Sequence, residues 1–289
     1  MTLMSAHYEQ PTRAIPTRGC AIVIPCFDEG ARLDVNAYEK FLADCDEAHL
    51  IFVDDGSRDN TLDLVVKIKA RFPTKVSVLT LAENAGKAEA VRQGLLYASQ
   101  RNYPYIGYWD ADLATPLDVI EDFLKVARKI RSLQVVFGSR RSLLGHRINR
   151  APGRKFVSFA CASLARHAVG IPVGDTQCGA KLLRNTNVVK DALQTPFTSG
   201  WLFDVELLGR IAWNTEEAAH AFYEMPLREW YEVGGSKITC RDFAKCAVGM
   251  VKLIVQMRFG LFAKSGQTSE RATAREVGTR PKPVNKLTA

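Results

Sequence analysis

Tyr105-Ile106-Gly107-Tyr108-Trp109-Asp110-Ala111-Asp112 is an apolar run that ends in two carboxylates one residue apart. The apolar part has the length and composition of a buried strand. Alternate residues of a strand point to opposite sides, so the chain must turn at its end for both acids to face one ion. Such a cup suits a hard divalent cation, Mg²⁺ or Mn²⁺, which takes oxygen ligands and keeps room for water and phosphate oxygens. Alone the pair says little, because acids are common at strand ends and helix starts. Its neighbours give it weight.

Upstream, Ala21–Pro25 is a second apolar run, followed by the loop Cys26-Phe27-Asp28-Glu29-Gly30. Leu50–Val53 runs into Asp54-Asp55-Gly56-Ser57, with a helix starting near Asp59. Val76–Leu79 leads to Glu83-Asn84-Ala85-Gly86-Lys87 and a helix from Ala88 to Ser99, and Val135–Gly138 is a fifth run. Short apolar runs alternating with helical stretches predict an α/β fold, a mostly parallel central sheet flanked by helices. In such sheets ligands bind beyond the carboxyl ends of the strands. Asp28, Asp54, Asp55, Lys87, Asp110 and Asp112 all fall there. No G-x-G-x-x-G follows the first strand, which disfavours a dinucleotide-binding dehydrogenase.

Four segments in order, AIVIPCFDE (21–29), VDDGSRDNT (53–61), NAGKAEAVRQG (84–94) and DADLATP (110–116), resemble a family 2 glycosyltransferase of the GT-A nucleotide-diphospho-sugar transferase fold. Three later ones, DTQCGAK (175–181), GWLFDVE (200–206) and WYEVGGSK (230–237), resemble the branch of dolichyl-phosphate glucosyltransferases and bacterial polyprenyl-phosphate glycosyltransferases. The resemblance covers about residues 20 to 260. It implies an inverting enzyme that moves a hexose, glucose in that branch, from a UDP-sugar to a polyprenyl phosphate.

The resemblance also implies roles. Pro25, Asp28, Glu29, Asp54 and Asp55 would grip the nucleoside, with turn bonding as a competing role for Asp55. Lys87 would meet the diphosphate together with the positive end of its helix, and Arg92 would help one turn later. Asp112 is the first choice of metal ligand. Asp110 is a second, or a contact to ribose or a metal-bound water. Arg140, Arg141, Gln177, Lys181 and Lys237 would hold the acceptor phosphate, since Arg forks match phosphate oxygens. Asp175 and Asp204 are the candidate catalytic acids, and Asp204 sits where other family 2 enzymes keep a base. It is also placed to stabilise a helix dipole and nothing more. A lipid monophosphate is already largely ionised near neutrality and needs no base. A hydroxyl acceptor, soluble or lipid, would need one, and Asp204 would supply it. A catalytically dead nucleotide-sugar sensor is disfavoured by the intact set of acids from Asp28 to Asp112.

The 289 residues, 47% of them hydrophobic, are enough for one large domain and exclude a wholly disordered chain. We divide the chain into a flexible arm (1–18), a catalytic domain (19–238), an amphipathic helix (239–263) and a disordered basic tail (264–289). Seven cysteines with no C-x-x-C pair read as reduced thiols of a cytoplasmic protein. No segment has the length and apolarity of a membrane span, and no apolar signal region opens the chain. The spanning anchors of the resembled branch are therefore not seen, which favours the hydroxyl acceptor, whereas DTQCG and WYEVGGSK favour the lipid phosphate.

Charge is uneven. Residues 123–174 hold eleven Lys or Arg and no Asp or Glu, so this stretch carries +11 and the remainder −3 of the total +8. Its basic residues interleave with Phe156, Val157, Phe159 and Leu164, and the 239–263 helix sets Arg241, Lys245 and Lys252 against a wide apolar arc. Basic amphipathic helices suit an anionic membrane surface, at the cytosolic face here. A solvated face over core helices is the plainer alternative, and a homo-oligomer is compatible with the apolar arc. No RRM, KH or helix-turn-helix pattern accompanies the charge, so nucleic acid is not expected as a partner.

Overall fold

The computed structural model describes residues 19–141, 143–149 and 169–231, with Arg166, Gly249, Leu253 and Val255 singly. The expected arm, the tail, Lys237, the middle of the 123–174 stretch with Phe156, Val157, Phe159 and Leu164, and most of 239–263 lie outside the described residues.

Four apolar runs become strands with every residue buried: β1 (Cys20–Cys26), β2 (Ala48–Asp54), β4 (Tyr105–Trp109) and β5 (Val135–Ser139). β3 (Val76–Thr80) is a half-buried edge. The intervening helices are α1 (Val35–Asp44), α2 (Thr61–Arg71), α3 (Lys87–Ser99) and α4 (Val119–Lys129). Further on come β6 (Arg147–Asn149), β7 (Ala180–Arg184), α5 (Asn187–Leu193), α6 (Phe203–Trp213), β8 (Phe222–Pro226) and β9 (Glu229–Tyr231).

The main sheet has the order β3-β2-β1-β4-β7-β5-β8, and β6 pairs with β9 in a small second sheet. β7 alone is antiparallel to its neighbours, β4 and β5. The sequence reading treats 175–181 as a motif and does not place a strand there. The structure inserts one, and it parts two strands that chain order would set side by side. Runs buried on both faces need cover on both. Ala21 and Val23 of β1 pack with α3, α5 and α6, while Ile22 and Ile24 pack on the other side with α1, α2 and α4. Because β7 runs backwards, the residues before it and those after β1, β2, β4 and β5 gather at one rim. Among the described residues no helix is long and apolar enough to cross a membrane.

Far from the rim, His49 of β2 is buried and shares a 2.9 Å hydrogen bond with Ser77 of β3. Burial pushes its pKa down to about 4. The folded state therefore holds it neutral, whereas the unfolded chain takes up a proton below about pH 6.5. Its contribution is fully present above that pH and is lost as the pH falls toward 4, roughly 2–3 kcal/mol in all. Urea midpoints between pH 7 and 4 should show this slope, and His49→Gln should flatten it.

Candidate functional site

The turn after β4 is fixed from three sides. Tyr38 donates its hydroxyl to Ala111 O (3.1 Å), and Asp112 Oδ1 accepts the Ala114 amide (3.1 Å). Leu113, with φ 54°, takes the left-handed conformation that lets the chain reverse. The third support is Gly179, whose carbonyl accepts the Asp110 amide at 2.9 Å. A Cβ on Gly179 would stand 2.0–2.5 Å from the Asp110 carboxylate, so that carboxylate lies flat against the glycine.

The turn brings Asp110 and Asp112 close enough to interact. Burial, and then the neighbouring Asp110, raise the pKa of Asp112 above the ordinary carboxylate range. Burial also raises Glu29; Arg32 opposes the shift, while Asp112 and Asp110 add to it. These are carboxylates crowded around a space that a cation would relieve. Among the described residues no group of three or more His, Cys, Asp or Glu forms a complete cage. Asp110 and Asp112 would thus be the protein's share of the ligands, with phosphate oxygens and water as the rest.

On the other side of the cup, Lys87 opens α3 and its Nζ lies 2.5 Å from Asp110 Oδ1. Burial works against its charge, but Asp110 and Asp204 outweigh it and hold the ammonium pKa above its ordinary value. Asp55 sets the loop before Lys87. Its two oxygens accept the amides of Ala85 (2.7 Å) and Gly86 (2.9 Å), so this carboxylate is occupied by a bridge between loops, a role not weighed from the sequence. Asp54 beside it is buried, and its Oδ1 has no hydrogen-bond partner among the described residues. Pro25 is buried in β1 opposite Val53. Asp28 is exposed and joins the two loops, its amide bonded to Ser57 Oγ (3.1 Å) and its Oδ1 to the Arg58 amide (2.8 Å).

Arg92 was expected to reach the diphosphate. The structure turns it away: it is buried, and its guanidinium binds Glu89 twice (2.8 and 2.6 Å) and the Leu193 carbonyl (3.0 Å), tying α3 to α5.

Each of the two candidate acids on the far side is held by a cation. Asp175 takes a bidentate grip from Arg140, Nε and Nη2 both at 2.7 Å, along with the Arg140 amide at 3.0 Å. Burial opposes the Arg140 charge, yet Asp175 keeps the guanidinium pKa above its ordinary value. The Trp230 ring lies 5.4 Å from the same guanidinium. Arg141 is half exposed and approaches Glu224 at 3.5 Å, and Glu224 in turn binds Ser139 Oγ and the Gly174 amide. Asp204, in the first turn of α6, accepts hydrogen bonds from Lys181 Nζ (2.7 Å) and the Tyr108 hydroxyl. Lys181 also reaches Cys178 O at 2.7 Å. Burial pushes Asp204 up to about 7, with the Lys87 ammonium opposing the shift, and pushes Lys181 down to about 7, with Cys178, Asp175 and Asp110 opposing it.

Lys181 was expected as a cation for the acceptor. It is 0% exposed and faces Asp204, which corrects that expectation. The reason is its place in β7: alternation puts it on the α6 side of a fully covered strand. Gln177 is partly buried at the rim. Tyr108, Gly179, Tyr38 and Glu224 are the members that sequence reasoning missed. Two of them left a signal: Tyr108 in β4 lies two residues before Asp110, and Gly179 lies inside DTQCGAK.

Gly179→Ala should force the Asp110 carboxylate to move. We expect Mn²⁺ binding to weaken about tenfold or more, the scale of lost outer-shell support, with the far-UV circular dichroism unchanged. Unchanged Mn²⁺ affinity would show that the carboxylate has room elsewhere.

The family model described as glycosyl transferase family 2 matches residues 21–188. A dolichyl-phosphate beta-glucosyltransferase of Trichomonas vaginalis is 31% identical over 83% of this chain and 72% of its own. The dolichyl-phosphate beta-glucosyltransferase of Saccharomyces cerevisiae is 29% identical over 84% and 76%. A polyprenol monophosphomannose synthase of Mycolicibacterium smegmatis is 25% identical over 80% and 85%. Among solved structures, glucosyl-3-phosphoglycerate synthase of Mycobacterium tuberculosis, in complex with Mn²⁺, UDP and glucosyl-3-phosphoglycerate, superposes with a TM-score of 0.59 at 17% identity over 83% of this chain and 80% of that one. That likeness establishes the fold, the GT-A arrangement expected from the sequence. The chain belongs to glycosyl transferase family 2, and it is a glycosyltransferase.

Proposed function

We propose that this protein is an inverting hexosyltransferase that moves glucose from UDP-glucose to a polyprenyl phosphate at the cytosolic membrane face, with Mg²⁺ or Mn²⁺. The relatives' names support the transferred sugar and the lipid-phosphate acceptor, and the UDP and Mn²⁺ of the solved glucosyl-3-phosphoglycerate synthase complex support the donor class and the cation. The observation that carries the acceptor assignment is that both acids on the acceptor side are spent on cations, Asp175 on Arg140 and Asp204 on Lys181. A site of ion-paired acids is poorly equipped to take a proton from a hydroxyl. An acceptor that arrives as an anion does not ask it to.

The roles follow. Asp54, with its unpartnered Oδ1, and the Asp28-Glu29 loop hold the nucleoside against Pro25. Lys87 and the N-terminus of α3 meet the diphosphate. Asp110 and Asp112 hold the divalent cation, which when bound offsets the charge gathering on the departing UDP. Arg140 keeps guanidinium donors beyond the two used by Asp175, and Arg141 is half exposed, so both are placed to receive a phosphate. An oxygen of the acceptor phosphate attacks the anomeric carbon from the face opposite UDP. The new C–O bond forms as the bond to the diphosphate breaks, and no proton changes hands. The basic segments serve as contacts to the anionic membrane surface.

One observation supports a second reading. A carboxylate pushed up to about 7 is in the range of a general base, and Asp204 is such a group. A hydroxyl acceptor would then be the substrate.

Transfer of labelled glucose from UDP-glucose, in the presence of Mn²⁺, to a polyprenyl phosphate and to the polyprenol of equal length separates the two. We expect label in the organic phase with the phosphate and none above background with the alcohol. Transfer to the alcohol, or no lipid product at all, would overturn the proposal.

A further inference from the structure

The cup already contains a positive charge of the protein's own. Lys87 Nζ lies 2.5 Å from Asp110 Oδ1. The contact is held from both ends. Asp55 pins Ala85 and Gly86, and Gly86 at φ 88° turns the chain into α3, whose first residue is Lys87. Opposite, the Asp110 carboxylate lies against Gly179 and has no room on that side. The carboxylate is thus the fixed partner. The lysine is the movable one: its side chain is 37% exposed and sits on a flexible four-carbon stem.

A hard divalent cation binds a carboxylate oxygen at roughly 2.0–2.2 Å. An ammonium 2.5 Å from the same oxygen crowds the cation's approach and repels the incoming charge. A metal entering the empty protein must therefore displace Lys87. A diphosphate beside the cup changes the balance, because it offers the ammonium a second anionic partner at the positive end of α3.

We propose that Lys87 is a placeholder cation: in the nucleotide-free protein it occupies Asp110 and excludes divalent cations, and a nucleoside diphosphate draws it off, so that cation and nucleotide load together. This rests on the reading above, that Asp110 and Asp112 take a divalent cation. It adds a coupling that acts on the nucleotide-free state, separate from any bridging of the diphosphate by the cation itself. Coupling between two ligands is reciprocal, so the same device makes UDP binding depend on the cation.

Free Mn²⁺, read by electron paramagnetic resonance, gives the test in the full chain with and without UDP. Without UDP, Lys87→Met should bind Mn²⁺ roughly fivefold more tightly than the parent, the scale of losing one competing, partly exposed ion pair. The ratio of Mn²⁺ dissociation constants without and with UDP should shrink by the same factor. Lys87→Arg should keep the parent's weak UDP-free binding. Arg32→Met, which removes a charge near Asp112 without touching Asp110, should change it less than twofold. If Lys87→Met and Lys87→Gln leave UDP-free Mn²⁺ binding unchanged or weaker while UDP still promotes it, Lys87 is a diphosphate ligand only and the placeholder is wrong. If neither parent nor variants retain Mn²⁺ even with UDP, the metal assignment itself fails and takes the placeholder with it.

Discussion

Asp110 gives its amide to the carbonyl of Gly179, and from this junction the antiparallel strand β7 runs back between β4 and β5. The approach is close: a Cβ on Gly107 of β4 would stand 2.3 Å from the Lys181 carbonyl. Any side chain at 107 or 179 would part the strands or tip the carboxylate. One reversed strand and its lead-in deliver three contacts of the site. Asp175 meets Arg140, Gly179 meets Asp110, and Lys181 meets Asp204. The DTQCGAK segment is thus structural framework for both halves of the site as well as a lining of it.

Three of the rim's acids are each matched by a cation. Lys87 faces Asp110, Arg140 faces Asp175 and Lys181 faces Asp204. The pairs differ in what they are free to do. Lys181 and Asp204 are buried together, where desolvation makes breaking the pair costly, so they form a fixed floor beneath the cup. Arg140 and Asp175 are mostly buried, yet the guanidinium has donors to spare. Lys87 and Asp110 are the most open of the three, and only there does the exchange of one cation for another come at small cost. A gradient of burial therefore separates framework from working groups.

Much of this arrangement was legible in the sequence. Buried parallel strands are near-continuous apolar runs, so β1 to β5 and the acids at their tips announced themselves. β7 did not, because Ala180–Arg184 carries a lysine that is tolerated only through an acid 23 residues away on α6. That partner is a tertiary fact, which no local pattern carries, and the same ignorance placed Lys181 among surface cations. Arg92 misled for a similar reason. Its position in the α3 motif suggested the diphosphate, but helix phase directs it at Glu89 and the end of α5. The turn at Leu113 left no sign, since its positive φ falls on a leucine and not on a glycine or asparagine that would mark it.

In this mechanism the nucleophile brings its own charge and the ion-paired acids take no proton. The pH dependence of kcat/KM measured with a lipid phosphate and again with the corresponding phosphonate, whose second ionisation lies higher, tests it most directly. The rising limb should move up with the acceptor's own ionisation. A limb that stays in place when the acceptor changes would belong to a base on the protein, with Asp204 first in line, and would rule out the base-free mechanism.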